Sequence, residues 1–400
     1  MRLLHTSDWH LGRTFHGRSL LADQQQVLLA LAAAVERERI DVVLIAGDLY
    51  DRAVPSIDAV QLATRSLRRI REAGAQIVLT TGNHDSAPRV GAFTDFLAAG
   101  GLHVCADVDR LGTPVLLGDE YGPVAIYGIP YLDPDVARHQ LAPQAGGHAG
   151  VLAAAMDRVR ADLADRAGTR SVVLAHAFVI GGAATDSERC LDAGGTATPT
   201  STPTADDPLV AFKRGTVGSV PAAVFSGVDY VALGHLHRRQ SPAPWLRYSG
   251  SLLPYSFSEA GQRKGCWVVE LTAAGLGEVR PVELPVIREL ATLRGELADL
   301  LAGYEEFREH YLAFELTDLD RPTDPMRRLL GRYPHAMKLE WRPPGLESGG
   351  PRYPATHTPV DDAALIAEFL TDLRGNGPSR SESALIARAL STAARAEAAA

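Results

Sequence analysis

Five short apolar runs in this 400-residue chain each lead directly into histidine, aspartate or asparagine. RLLHTS (2–7) precedes Asp8 and His10, DVVLIA (41–46) precedes Asp48, and QIVLTT (76–81) precedes Asn83, His84 and Asp85. SVVLAH (171–176) ends on His176, and YVALGH (230–235) ends on His235, with His237 close behind. Runs of this kind, apolar on both faces, read as strands buried on two sides, and VAIYGI (124–129) is another. The segments 20–39, 56–73 and 149–167 carry helical periodicity instead. Strands alternating with helices predict an α/β layered fold with helices covering the sheets. The later segments WLRYSGS (245–251) and GCWVVEL (265–271) read as a β-meander, so the sheet is expected to be mixed.

The length allows more than one domain. PVELPVI (281–287) reads as a linker, followed by a small α/β unit ending near Trp341, a Pro/Gly-rich tether and two helical patterns. The expected division is a first domain over 1–284, a small domain over 285–342, a linker over 343–360 and a helical tail over 361–400. Residues 194–214, rich in Thr, Pro, Ala and Asp, read as a surface insertion loop. No apolar run approaches the ~20 residues that span a bilayer, and His5, Asp8 and His10 interrupt any signal-peptide core early. Cys105, Cys190 and Cys266 lie far apart in no metal-like spacing, which fits a reducing, cytoplasmic setting. A net charge of −8 argues against a general polyanion-binding surface. Nucleic acid would therefore be met by a local patch, by bound metal ions or by a partner.

Open α/β sheets place ligands at the C-terminal ends of their strands, which is where these polar residues collect. In an extended backbone alternate side chains point the same way, so Asp8 with His10, and His235 with His237, are each expected to grip a cation. Gly47 lets the chain turn so that Asp48 projects, and a carboxylate can bridge two ions. Asn83 offers an amide oxygen and His176 another imidazole. GNHD (82–85) reads equally as a type I′ or related turn. The candidate ligands are thus Asp8, His10, Asp48, Asn83, His176, His235 and His237, a nitrogen and oxygen set that suits manganese, iron or zinc better than calcium or magnesium.

The ordered set of DxH, GDxxD, GNHD, a strand-ending His and GHxH resembles the calcineurin-like metallophosphoesterase superfamily. Longer stretches, among them 5–20, 46–56, 81–89, 176–182, SERC (187–190), 230–240, YSGSLLPYSFSE (248–259) and 318–334, resemble the bacterial SbcD nuclease subunits, over nearly the whole chain. The resemblance implies a four-layer β-sandwich flanked by helices, a capping domain and a two-helix tail. It implies one metal held by Asp8, His10, Asp48 and His237, and a second by Asp48, Asn83, His176 and His235, most simply two Mn2+. His84 would be the non-ligand histidine facing the scissile phosphate, and Asp85 would orient its neighbours from behind. Asp51 is given no direct catalytic role.

The same resemblance implies a 3′–5′ double-strand exonuclease and hairpin or single-strand endonuclease in DNA repair, recombination and replication. Its partner would be SbcC, a coiled-coil ATPase, with a homodimer inside a heterotetramer at the nucleoid. In the tail, Ala364, Leu365, Ala367, Phe369, Leu370 and Leu373 fall largely on one helical face, which fits a partner coiled coil or the chain's own domain. Arg13, Arg52 and Arg89 flank the motifs and are candidates for DNA phosphate contacts or for solvated surface. Two other readings are a phosphoesterase for a small phosphodiester and a non-catalytic scaffold joining the ATPase to DNA.

Overall fold

The structure is a computed structural model that describes residues 1–188, 190–191, 217–344, 361–374 and 376–397. The expected loop at 194–214 and most of the linker at 343–360 lie outside the described residues. The chain divides into two units, Met1–Leu290 and Ala291–Ala400.

The first unit is built on two six-stranded sheets. One runs in the order Gly275–Glu283, Gly265–Thr272, Arg2–Thr6, Val42–Ala46, Gln76–Thr80, Leu102–Cys105. The other runs Gln240–Ala243, Leu246–Tyr248, Tyr230–Gly234, Arg170–His176, Gly122–Gly128, Val115–Asp119. Leu3, Leu44 and Val78 of the first sheet share one core with Ile126, Val172, Leu174 and Ala232 of the second, so the sheets stack face to face. On the far side of the second sheet, Tyr127, Val173 and Val231 pack with Val151, Ala155 and Met156 of the helix Gly147–Ala164. The helices Leu21–Arg37 and Ile57–Glu72 bury their apolar faces in turn, and the second packs on Gln76–Thr80. Ser56 caps that helix by accepting the Ala59 N–H at 3.3 Å. Central strands such as Val42–Ala46 and Arg170–His176 are buried at every residue, which is why they carry no polar alternation. The layered, helix-flanked sandwich read from the sequence is the fold observed, and the sheets are mixed.

Two details of the strand reading change. Leu246–Tyr248 and Gly265–Thr272 do not form a meander: the former pairs in parallel with Tyr230–Gly234, the latter antiparallel with Arg2–Thr6 in the other sheet. The supposed linker at 281–287 still belongs to the strand Gly275–Glu283 as far as Glu283. That strand is the sheet's edge, where a proline such as Pro281 is tolerated because its missing N–H faces outward.

His5, in the first strand, joins the two sheets. Its Nε2 lies 3.1 Å from the Leu233 carbonyl and its Nδ1 2.9 Å from the Tyr230 hydroxyl, in a fully buried setting. Burial pushes this imidazole down to about 3, and the nearby Arg247 works the same way against the Leu233 carbonyl. A depressed histidine is stabilising while neutral, so its contribution is complete above the unfolded value near 6.5 and is lost as pH falls through about 3. The expected result is that His5→Gln, which keeps polar atoms but cannot titrate, flattens the metal-free protein's loss of stability between these limits. The difference is on the order of 4 kcal/mol, read by denaturant unfolding at stepped pH.

The second unit has its own three-stranded sheet, Leu290–Gly295, Tyr311–Leu316 and Ala336–Trp341, with the last two parallel. Leu293, Leu297, Leu300, Leu312, Phe314, Leu329 and Tyr333 form its core. The helices Asp362–Arg374 and Arg380–Glu397 pack on each other.

Candidate metal centre

The strands Arg2–Thr6, Val42–Ala46 and Gln76–Thr80 run parallel, as do Arg170–His176 and Tyr230–Gly234. Their C-terminal ends therefore deliver Asp8, His10, Asp48, Asn83, His176, His235 and His237 to one place. Contacts between the sheets close the gap: His176 Nδ1 lies 3.0 Å from the Ala46 carbonyl, and the His235 N–H donates to Asp8 Oδ1 at 3.0 Å. Ligand atoms of Asp8, His10 and His237, of Asp8, Asp48 and His176, and of His10, Asp48 and His84 each lie within 4.8 Å of one another.

The backbone reaches this arrangement differently from the extended pairs read in the sequence. Asp8 and His10 have φ of 52° and 44°, Asp48 50° and His235 102°, so the side chains converge from left-handed loop positions beyond the strands. Strand alternation had no part in aiming them. Left-handed conformations cost a non-glycine residue energy, and here hydrogen bonds hold them: Asp8 N–H donates to the Gly47 carbonyl at 3.1 Å and His10 N–H to the Asp48 carbonyl at 3.0 Å.

GNHD is not a type I′ turn, since none of residues 82–85 has a positive φ. Gly82 is needed for space rather than for turning: a Cβ there would overlap both Oδ1 and the backbone nitrogen of Asp48. Gly47 combines both reasons, with φ of 86° and a Cβ position that would overlap His176 Nδ1. Gly82→Ala is expected to destabilise the first unit by about 1–3 kcal/mol through forced repacking and to weaken metal binding by displacing Asp48. Thermal unfolding and metal titration of the variant check this.

Asp48 sits at the middle of the cluster. Its Oδ2 lies 3.5 Å from His10 Nε2 and 3.3 Å from His176 Nε2, while its Oδ1 accepts the His84 N–H at 2.9 Å. Burial works against the charge of Asp48, but His176, His84 and His10 outweigh it and hold the carboxyl well below its usual range. Burial raises Asp8, and Asp48 adds to the rise against the opposing pull of His176 and His237. Burial holds His10 and His235 neutral well below the ordinary imidazole value. His176 goes the other way: burial opposes its charge, yet Asp48 and Asp8 lift it to about 9.

The donor set fits divalent cations. His10 Nε2 and His237 Nε2 face each other at 3.1 Å, and His176 Nε2 faces Asn83 Oδ1 at 3.0 Å. Each pair can be bridged by a ring N–H, or, when the nitrogens present their lone pairs, by a metal ion beside both atoms. His10 Nδ1 is buried without a hydrogen-bond partner, 3.6 Å from Asp51 Oδ1. His235 packs its ring edge-on against His176 at 5.3 Å.

His84 is half-buried, with Nδ1 2.9 Å from the Asp51 carbonyl. Geometry alone groups it with His10 and Asp48. The Asp85 carboxylate accepts the N–H groups of Gly82, Leu49 and Tyr50 at 3.0, 3.1 and 2.9 Å, tying the loop after the third strand to the loop after the second. Of the three arginines, Arg13 is committed to Asp51 at 3.2 Å and stacks on Tyr255 at 4.7 Å. Arg52 and Arg89 are exposed, Arg52 lying 3.8 Å from Asp51 Oδ2. The sequence reading gave no role to Ser187, Glu188, Glu259 or Lys264, which surround His237; the stretches SERC and YSGSLLPYSFSE, noted only for resemblance, contain three of them.

Residues 1–239 match the calcineurin-like phosphoesterase family, and residues 286–372 match the SbcD C-terminal domain described as "Type 5 capsule protein repressor C-terminal domain". Among solved structures, the chain is similar to the crystal structure of TT1561 of Thermus thermophilus. The identity is 14% and the TM-score 0.38, over 70% of this chain and 98% of that one. None of the described helices is long and apolar enough to cross a membrane. With the first match spanning more than half of its length, the chain belongs to the calcineurin-like phosphoesterases, hydrolases that work with divalent metal ions.

Proposed function

We propose that this chain is a two-metal, manganese-dependent DNA phosphodiesterase, the nuclease subunit of an SbcCD-type complex. The observation that carries the two-metal part is Asp48 Oδ2, set between the imidazoles of His10 and His176. Asp8, His10 and His237 would complete one ion's shell, and Asn83, His176 and His235 the other's. Two bound ions would supply an activated water and stabilise the attacking and leaving oxygens of an in-line displacement.

The chain's own residues do the rest. His84, with Nδ1 engaged by the Asp51 carbonyl, keeps Nε2 as the atom for passing a proton to the leaving oxygen. Asp85 holds the two loops in register, so that Asp48 and Asn83 stay in reach of the same ion. Arg52 and Arg89 are the arginines with exposed side chains left to meet DNA phosphates, because Arg13 already neutralises Asp51.

The choice of DNA over a small phosphodiester is supported by the match at 286–372 to the SbcD C-terminal domain. Leu365 and Phe369, each close to half exposed on the helix Asp362–Arg374, offer an apolar strip to a coiled-coil ATPase. A homodimer within a heterotetramer is part of the same reading. The test uses the full chain with Mn2+ on labelled duplexes with open and hairpin ends, beside bis(p-nitrophenyl) phosphate. Shortening of the duplexes is the expected result. Hydrolysis of the small diester alone would make this a phosphoesterase of small substrates, and binding of DNA without cleavage would make it a scaffold.

A further inference from the structure

His237 is gripped at three of its atoms by residues outside the candidate ligand set. Its N–H donates to Glu188 Oε1 at 2.6 Å, and its carbonyl accepts from Lys264 Nζ at 2.9 Å. Its ring Nδ1 lies 2.6 Å from the Ser187 hydroxyl, which donates to Glu259 Oε1 at 2.6 Å. Glu259 is 1% exposed and its other oxygen accepts from Lys264, itself 5% exposed, at 2.5 Å. An acid and a base buried together at this distance are an ion pair, since either charge alone would be very costly there.

The direction of each proton follows. Ionised Glu259 only accepts, so the Ser187 hydroxyl hydrogen points to it. The lone pairs of Ser187 Oγ then face His237, and Nδ1–H must be the donor. A neutral imidazole with its proton on Nδ1 has its lone pair on Nε2, which is the atom aimed at His10 and the metal cluster. The segment bearing Ser187 is itself pinned: Glu188 Oε2 accepts both the N–H and the hydroxyl of Thr185, and Asp186 N–H donates to Ser258 Oγ at 3.2 Å.

We propose that Ser187 and Glu259, backed by Lys264, are positioning residues that fix the Nδ1–H tautomer of His237 and so present its Nε2 lone pair to a metal ion. This rests on the reading of His237 as a ligand. The experiment compares wild type with Ser187→Ala, Ser187→Thr and Glu259→Gln in the full chain, by Mn2+ titration calorimetry and by 15N-histidine NMR of the metal-free protein. Ser187→Ala, whose small cavity leaves folding intact, is expected to lower Mn2+ affinity roughly 10–100-fold and to move His237 from one tautomer to a mixture. Ser187→Thr keeps the hydroxyl and restores both readouts. Glu259→Gln gives the same losses as Ser187→Ala. If wild type binds two Mn2+ and Ser187→Ala binds them equally well with an unchanged His237 signal, the proposal is overturned while the metal centre stands. If wild type binds no Mn2+, the metal-centre reading falls and this one with it.

Discussion

Asp48→Ala is expected to abolish metal-dependent cleavage and to cost Mn2+ affinity more than the roughly 10–100-fold lost when only a supporting residue is removed. The reason is position. The Oδ2 atom of Asp48 is the only carboxylate oxygen described within 3.5 Å of imidazole nitrogens on both sides of the cluster, at His10 and at His176. Removing it withdraws a negative charge from both candidate ion positions at once, and also the acceptor of the His84 N–H. Calorimetry should show loss of both sites rather than one, and single-turnover cleavage should fall to background. The metal-free variant supplies a control that does not involve activity. His176 is lifted to about 9, and Asp48 is the largest of the causes that raise it. A raised histidine stabilises fully below its unfolded value near 6.5 and loses that contribution as pH rises through about 9. The stability gap between wild type and Asp48→Ala should therefore be widest near pH 6.5 and narrow toward pH 9. A constant gap over that range would mean that Asp48 and His176 are not coupled in the way the structure shows.

The places where the candidate site assembles were legible because each lies at or just past the end of a buried strand, and buried strands announce themselves through runs of Val, Ile and Leu. The parallel order of the strands then does the gathering. The local aim of the side chains was not legible. Left-handed φ values at Asp8, His10, Asp48 and His235 are imposed by contacts between loops distant in sequence, such as His10 N–H on the Asp48 carbonyl. A single-residue preference does not encode them. Gly82 illustrates the same limit: a turn is the common reason for glycine before asparagine, and here the reason is the Asp48 carboxyl packed against its α-carbon. The supports of His237 were hidden for a similar reason. Ser187 and Glu188 reach it across separations of 50 and 49 residues, and serine and glutamate in loops ordinarily read as surface. In the first unit, Pro281 disguised the end of an edge strand as a linker, because the rule that proline breaks strands holds in the middle of a sheet and relaxes at its margin.

His84→Gln separates chemistry from metal binding, and its expected outcome is the reverse of that for Asp48. Turnover should fall by roughly 10²–10⁴, the usual worth of a positioned proton donor, while calorimetry still finds two Mn2+ sites. Glutamine is close to histidine in reach and can donate a hydrogen bond from its amide, so it keeps a polar contact to a phosphate oxygen. It cannot give up a proton to a departing alkoxide. The structure sets the competing outcome sharply, because the ligand atoms of His84, His10 and Asp48 lie within 4.8 Å of one another, close enough for all three to share an ion. Two features favour the proton-transfer role. One ring nitrogen is 2.9 Å from the Asp51 carbonyl, leaving a single nitrogen for either task, and His84 is half-buried where His10, His176 and His237 are almost wholly enclosed. A residue that must meet substrate needs that access, and a ligand does not. If His84→Gln loses one Mn2+ site together with activity, His84 is a ligand and another group must protonate the leaving oxygen. If both sites persist and a substrate with a more acidic leaving group recovers most of the lost rate, the missing function is the proton, since a good leaving group does not need one.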